Sequence, residues 1–132
     1  MIKGCCHLDV QRAALFLFAM LIIGIPGIAK GHAFPDHSDP RVGSTIPASP
    51  AQVRIWFDSD LEPVFSSMMV HTAKGDVMVS KDDSKVNPSD PTLLEVSMPP
   101  LPPGEYVVYW SVVGRDGHRT SGKYSFTIKP HP

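Results

Sequence analysis

The chain has 132 residues, of which 42% are hydrophobic and 19% charged, with 14 Pro, 10 Gly and only 2 Cys. This length suffices for one domain and excludes an enzyme assembled from several folding units. The formal net charge is only −1 at pH 7 and the basic residues are scattered, so the composition does not favour a nucleic acid or an anionic membrane surface as partner.

The N-terminal quarter of the chain has the layout of a secretory signal peptide. Ala13–Ala29 is an apolar run of 17 residues without a charge, and Lys3 and Arg12 precede it. The run is shorter than the about 20 apolar residues of a membrane span, and a glycine and a proline break a helix near its end. We expect residues 1–31 to be a cleaved signal and residues 32–132 to be the exported domain, with an uncleaved N-terminal anchor as the alternative.

The cleavage point decides which residue begins the exported domain. Small residues permit a cut after Gly31, after Ala29 or after Ala33, and the first is preferred because Ala29 then occupies the −3 position. That cut makes His32 the new N-terminus and leaves 9 basic against 12 acidic side chains, a net charge of −3. Both cysteines precede the apolar run, so we expect no disulfide and no thiolate metal site in the exported domain.

After the expected signal, the chain consists of short extended segments separated by turn signals. No segment shows a convincing apolar stripe with the 3.6-residue period of a helix. The predicted strands, in chain order, are Gln52–Phe57, Met68–Thr72, Val77–Val79, Leu93–Val96, Glu105–Val113 and Lys123–Lys129. Gly114 to Gly122 is predicted to be a polar connection between the last two, and Trp56 and Trp110 are expected in the core. About seven short strands in about 100 residues predict an all-β fold, an immunoglobulin-like antiparallel β-sandwich of Greek-key type.

The exported domain lacks the common catalytic motifs. It has no cysteine, no Gly-x-Ser-x-Gly and no glycine-rich phosphate loop, so we expect a non-enzymatic protein. Acidic pairs such as Asp58 and Asp60 lie in predicted turns, where carboxylates are usually solvated. The unusual feature is the five histidines: His32, His37, His71, His118 and His131.

Two sequence features are candidate metal ligands. A terminal His32 offers its α-amine and a ring nitrogen to one ion. The alternative is a flexible N-terminus that binds no metal. In Asp116-Gly117-His118, positions i and i+2 of an extended backbone point to the same side, although Asp-Gly is also a common hairpin turn. Together these residues supply three nitrogens and one oxygen, a donor set that suits Cu(II).

The C-terminal part of the chain resembles a known family. The segment Pro102 to Phe126 contains a Gly-x-Tyr, a Trp, the Asp-Gly-His and a Ser-Gly before the last strand, and this order is similar to the CopC family of periplasmic copper-binding proteins. Supporting matches are His32-Ala33, Ser38-Asp39-Pro40, Gly43 and the strand from Val53 to Phe57. The resemblance covers essentially the whole exported domain.

The resemblance implies a small β-sandwich that binds Cu(II). Its ligands would be the amine and ring of His32 together with Asp116 and His118. It further implies a role in copper homeostasis or resistance in the periplasm, by sequestration or delivery, often beside an inner-membrane copper protein called CopD. We expect the protein to be a monomer.

The chain departs from some family members, which carry a methionine-rich loop for Cu(I). Its methionines after the signal form no dense Met-x-x-Met run, so we expect a Cu(II)-only protein. A soft site at Met69 and His71, and a secondary ligand at His37, are less favoured alternatives. Two other functions stay open: a copper-dependent oxidative enzyme and a metal-free secreted β-sandwich interaction domain. Zinc is the rival metal and would prefer a tetrahedral shell.

Overall fold

The computed structural model describes residues 32–131, which contain eight β-strands and one short 3-10 helix, Pro63–Phe65. The expected signal peptide, its cleavage sites before His32 and both cysteines lie outside the described residues. The strands are β1 Pro35–Asp39, β2 Thr45–Ile46, β3 Gln52–Phe57, β4 Ser67–Thr72, β5 Lys85–Asn87, β6 Asp90–Ser97, β7 Gly104–Val113 and β8 Arg119–Ile128. Within the described residues, no helix is long and apolar enough to span a membrane.

The strands form two four-stranded sheets. One has the order β1-β3-β6-β5 and the other the order β2-β8-β7-β4. Every pairing is antiparallel except that of the short β2, which runs parallel to β8. The predicted all-β, immunoglobulin-like sandwich is confirmed, with eight strands in place of about seven.

Alternation of side chains along the strands builds the core between the sheets. On β3, Val53, Ile55 and Phe57 are buried, whereas Arg54 and Trp56 lie on the opposite face. Burial of apolar surface stabilises the fold by about 25 cal/mol per Å². The second sheet contributes the buried residues Met68, Val70, Tyr106, Val108, Val112, Phe126 and Ile128.

The two tryptophans occupy different environments. Trp110 packs against the core, with its ring edge-on to Phe57 at 5.4 Å. A side-chain carbon at position 122 would lie only 2.6 Å from the Trp110 ring. Glycine in the Ser-Gly of the last strand therefore avoids a clash with this ring. The expectation of a core position is wrong for Trp56, because the period of two in β3 turns it outward, where it stacks on His37 at 4.5 Å.

The predicted strand Val77–Val79 forms no regular strand. It instead covers the free edge of β4, where Thr72 donates to the Val77 carbonyl and Val79 donates to the Val70 carbonyl, both through backbone N–H groups. The hydroxyl of Ser80 accepts the N–H of Val70. Such coverage satisfies an edge that would otherwise offer unpaired backbone groups to other strands.

The boundaries near the end of the chain also differ from the prediction. The connection predicted over Gly114 to Gly122 is shorter, because β8 already begins at Arg119. Along β8 the predicted alternation is present, with Phe126 and Ile128 buried on one face.

Tyr106 and Tyr124 differ in how their hydroxyl groups are satisfied. The Tyr106 hydroxyl donates to the Pro102 carbonyl at 2.6 Å. The Tyr124 hydroxyl is buried and has no hydrogen-bond partner of good geometry within the described residues. Burial raises the pKa of Tyr124 to about 12, although the nearby Ser38 hydroxyl opposes this shift.

Replacing Tyr124 with Phe should therefore give a stability difference from the wild type that depends on pH only in the alkaline range. The unfolded chain releases the Tyr124 proton near its ordinary pKa of 10.0, and the folded chain releases it near about 12. The stability that depends on a protonated Tyr124 is therefore fully present below pH 10 and is lost as pH rises to 12. The difference in unfolding free energy between the wild type and Tyr124→Phe should change by about 2 kcal/mol over that range. Denaturant titrations at several pH values measure it.

Tyr106→Phe is the matched control, because it removes a formed hydrogen bond and should cost about 0.5–1.5 kcal/mol already at neutral pH. Stability curves of the wild type and Tyr124→Phe that stay parallel from pH 8 to pH 12 would contradict the raised pKa.

Candidate metal centre

The residues that follow His32 are held against the body of the sandwich. Ala33 is fully buried, and its carbonyl oxygen accepts a hydrogen bond from the Thr120 hydroxyl at 2.7 Å. The N–H of Phe34 donates to Asp58 Oδ1 at 2.9 Å, and the N–H of Asp58 donates to the Phe34 carbonyl at 2.9 Å. These contacts place His32 at the end of the sandwich where β7 connects to β8.

The connection between β7 and β8 is a tight turn. Gly114 donates its N–H to the His118 carbonyl at 3.1 Å, and Gly117 donates to the Gly114 carbonyl at 2.9 Å. Gly117 has a φ of +82°, a left-handed conformation that glycine adopts without the clash of a side chain. The turn thereby brings the side chains of Asp116 and His118 into contact.

The carboxylate of Asp116 lies between the two histidines. Its Oδ1 accepts the backbone N–H of His118 at 3.0 Å, and its Oδ2 lies 2.8 Å from His118 Nδ1 and 3.8 Å from His32 Nδ1. The hydrogen bond from the His118 backbone is the main reason why the pKa of Asp116 is lowered from its ordinary value; partial burial opposes it and the His118 side chain adds to it. Asp116 is therefore ionised at neutral pH, the form in which a carboxylate binds a metal.

The two imidazole rings stack face to face. The ring centroids of His32 and His118 are 4.6 Å apart and the ring planes differ by 15°. The ring of Phe34 lies nearly parallel to that of His32 at 6.1 Å. The side chains of His32 and His118 are exposed and that of Asp116 is 20% exposed, so solvent and solutes reach all three.

The spacing of the three side chains fits a single ion. One donor atom from each lies within 4.8 Å of the others. Donors bound to one first-row metal at about 2.0–2.2 Å can be at most about 4.4 Å apart. The cluster is therefore close to the size of a first-row metal site, and rotation of the side chains would bring the three donors to one ion. In the part of the chain that the structure describes, no other group of three His, Cys, Asp or Glu residues is this close.

The alternative ligand His37 lies apart from this cluster, on β1. Its Nδ1 contacts Asp36 Oδ2 at 2.8 Å, and its ring stacks on Trp56 at 4.5 Å. The neighbouring Asp39 forms an ion pair with Arg54 at 2.9 Å. The Nδ1 of His37 and the carboxylate of Asp39 thus each have a protein partner.

The alternative soft site at Met69 and His71 lies on the outer face of β4. The Nδ1 of His71 contacts Asp76 Oδ1 at 2.8 Å, and its ring meets Tyr109 edge-on at 5.2 Å. Met69 is 42% exposed, whereas Met68 is buried in the core, as the alternation predicts. His131 is exposed near the C-terminus.

Two residues near the cluster are not identified by the sequence analysis. Asp58 is exposed, as expected of a turn carboxylate, and in addition accepts the backbone N–H of Phe34. Asp60 forms an ion pair with Arg115 at 3.2 Å. Thr120 falls within the predicted polar connection from Gly114 to Gly122, where nothing in the sequence distinguishes it. One feature of the sequence could have identified Thr120. It lies two positions after His118, and in an extended strand that includes both residues their side chains would lie on the same face.

Comparisons with known proteins agree with this architecture. Residues 36–129 match the family model described as the CopC domain. The chain is 28% identical over 113 residues to the copper transport protein CutJ of Bacillus subtilis, covering 85% of this chain but only 21% of CutJ. It is 30% identical over 115 residues to the copper resistance protein C of Escherichia coli, covering 78% of this chain and 91% of that protein.

A solved structure extends the similarity to three dimensions. The crystal structure of CopC from Methylosinus trichosporium OB3b matches with a TM-score of 0.67 and 32% sequence identity, over 76% of this chain and 97% of that one. The family match covers both sheets and the turn that carries Asp116 and His118. The chain therefore belongs to the CopC family.

Proposed function

We propose that the exported domain binds one Cu(II) ion through the α-amine and ring of His32, the carboxylate of Asp116 and the ring of His118. The observation that carries the proposal is the convergence of these three side chains within 4.8 Å at one end of the sandwich. Membership in the CopC family supports a copper-related function, since relatives are named for copper transport and copper resistance.

The chemistry of the donor set favours Cu(II) over other first-row ions. Amine and imidazole nitrogens with a carboxylate oxygen suit the tetragonal geometry of Cu(II), which also stands at the top of the affinity order for divalent first-row metals. Zinc prefers a tetrahedral shell. The proposed ligands are nitrogen and oxygen donors without a soft thioether, which favours Cu(II) over Cu(I).

The exposure of the site supports a role in carrying copper. An ion held by exposed side chains can be taken up from solution and passed to another protein, unlike one enclosed in the core. We propose that the domain, released by cleavage after Gly31, sequesters or delivers Cu(II) in the periplasm as a monomer. We further propose a CopD-like inner-membrane protein as the recipient of delivered copper. The match to a protein named for copper transport, CutJ, supports a transport role.

Replacing His118 with Ala should abolish tight copper binding while leaving the fold intact, because the residue lies in an exposed turn. The wild type should bind one Cu(II) per chain in competition titrations with a chelator. The loss in His118→Ala should exceed the roughly 10–100-fold that removal of an outer-shell partner costs.

His37→Ala is the matched control, since His37 is exposed and also contacts a carboxylate but lies outside the cluster. It should bind copper like the wild type. Equal affinities of His118→Ala and the wild type would disprove the proposed ligand set.

Adding one N-acetylated glycine before His32, which supplies no new amine, should also weaken binding strongly. Acylation of the His32 amine by the added residue removes one of the four proposed donors and leaves the three side chains in place. Competition titration measures the loss, and the paramagnetic resonance spectrum of bound Cu(II) should report one nitrogen fewer.

The control is a single glycine added after Pro132, far from the site in sequence. If the N-terminal extension leaves both affinity and spectrum unchanged, the terminal amine is not a ligand.

A further inference from the structure

The cluster depends on a residue that begins the proposed exported chain, where chain ends are usually poorly ordered unless they are tied down. His32 nevertheless has a defined position, with its ring stacked on that of His118 at a centroid distance of 4.6 Å. The side-chain contacts between His32 and the turn are exposed, and exposed contacts of this kind are weak. The order of His32 must therefore come mainly from the residues that follow it.

Those residues are fixed on two sides. The Thr120 hydroxyl donates to the Ala33 carbonyl at 2.7 Å across 87 positions of sequence. Asp58 exchanges two hydrogen bonds with the backbone of Phe34, one through its carboxylate and one through its own N–H, both at 2.9 Å. Between them the Ala33 methyl group is fully buried.

The two anchors connect His32 to the part of the fold that carries its proposed partner ligands. Thr120 is the second residue of β8, two positions after His118, and pairs with Val112 on β7. Its hydroxyl thus joins the strand that follows the Asp116 turn directly to the residue that follows His32. Asp58 continues from β3 and holds the same segment from the other sheet.

We propose that Thr120 and Asp58 are positioning residues that hold His32 beside Asp116 and His118 before copper arrives. This proposal rests on the proposed function. Ordering the segment during folding removes that ordering cost from metal binding, because a preorganised site binds more tightly than one that must be assembled. If the segment opens, the fraction of molecules competent to bind falls and the apparent affinity falls with it.

The test uses pairs of variants of the processed protein. Thr120→Val keeps the branched shape but removes the hydroxyl, whereas Thr120→Ser keeps the hydroxyl. Asp58→Ala removes the acceptor of the Phe34 N–H, whereas Asp58→Asn keeps a carbonyl oxygen there. Thr127→Val, on the same strand and far from the turn, is the control for loss of a strand threonine hydroxyl.

Thr120→Val and Asp58→Ala should bind Cu(II) about tenfold more weakly, within the range for loss of outer-shell partners. Their bound-copper paramagnetic resonance spectra should match that of the wild type, because the ligands are unchanged. In the metal-free variants, hydrogen exchange of the Phe34 amide should be faster, since opening of the segment exposes it. Thr120→Ser, Asp58→Asn and Thr127→Val should behave like the wild type.

Wild-type affinity in Thr120→Val, or affinity in Thr120→Ser as low as in Thr120→Val, would overturn the proposal. Failure of the proposed function gives a different result, in which His118→Ala itself binds copper like the wild type. In that case, hydrogen exchange of the Phe34 amide in the metal-free protein still shows whether Thr120 and Asp58 hold the segment in place. Their proposed role in copper binding is then rejected together with the proposed copper site.

Discussion

The antiparallel pairing of β7 with β8 is the constraint on which both the fold and the site depend. Ten residue pairs join the two strands, from Gly104 opposite Ile128 to Val113 opposite Arg119. The inward side chains of this hairpin form much of the core, so a shift of register by one residue would turn that apolar face to solvent. The same register sets where the chain reverses, and therefore where Asp116 and His118 lie.

Neighbouring segments brace the end of the sandwich where this reversal occurs. The guanidinium of Arg119, adjacent to His118, donates to the Ser111 hydroxyl at 2.7 Å and to the Phe65 carbonyl at 3.2 Å. The Ser66 hydroxyl accepts the N–H of Val113 in a buried hydrogen bond. A short loop with such neighbours can keep the candidate ligands Asp116 and His118 in place although the His118 side chain is exposed.

The N-terminal segment complements this rigid end with a residue from the opposite end of the described chain. Ala33 has the small, apolar side chain that a fully buried position beside two polar anchors can accept. The arrangement combines an accessible set of donor atoms with a fixed backbone. Accessibility permits exchange of a bound ion, while a fixed backbone favours tight binding.

The fold class and the site differ in how far the sequence alone determines them. Alternation in Gln52–Phe57 and in the last two strands is a local property, so the β-sandwich could be predicted from it. The candidate residues His32, Asp116 and His118 could be named from their chemistry and from the resemblance to the CopC family. Short strands such as β1 and β2 were not predicted, because they carry little alternation of their own and form through pairing with β3 and β8.

The sequence by itself thus determined the layers of the fold and the residue types that can bind a metal. Only the tertiary structure decided that His32 lies beside a turn more than 80 positions later in the chain, at a distance suited to one ion. It also decided that Asp58 and Thr120 anchor the residues that follow His32. Hydrogen bonds across such separations depend on how the two sheets pack. No spacing along the chain encodes that packing, which is why Asp58 resembles an ordinary turn acid and Thr120 an ordinary residue of a polar connection until the sheets are in place.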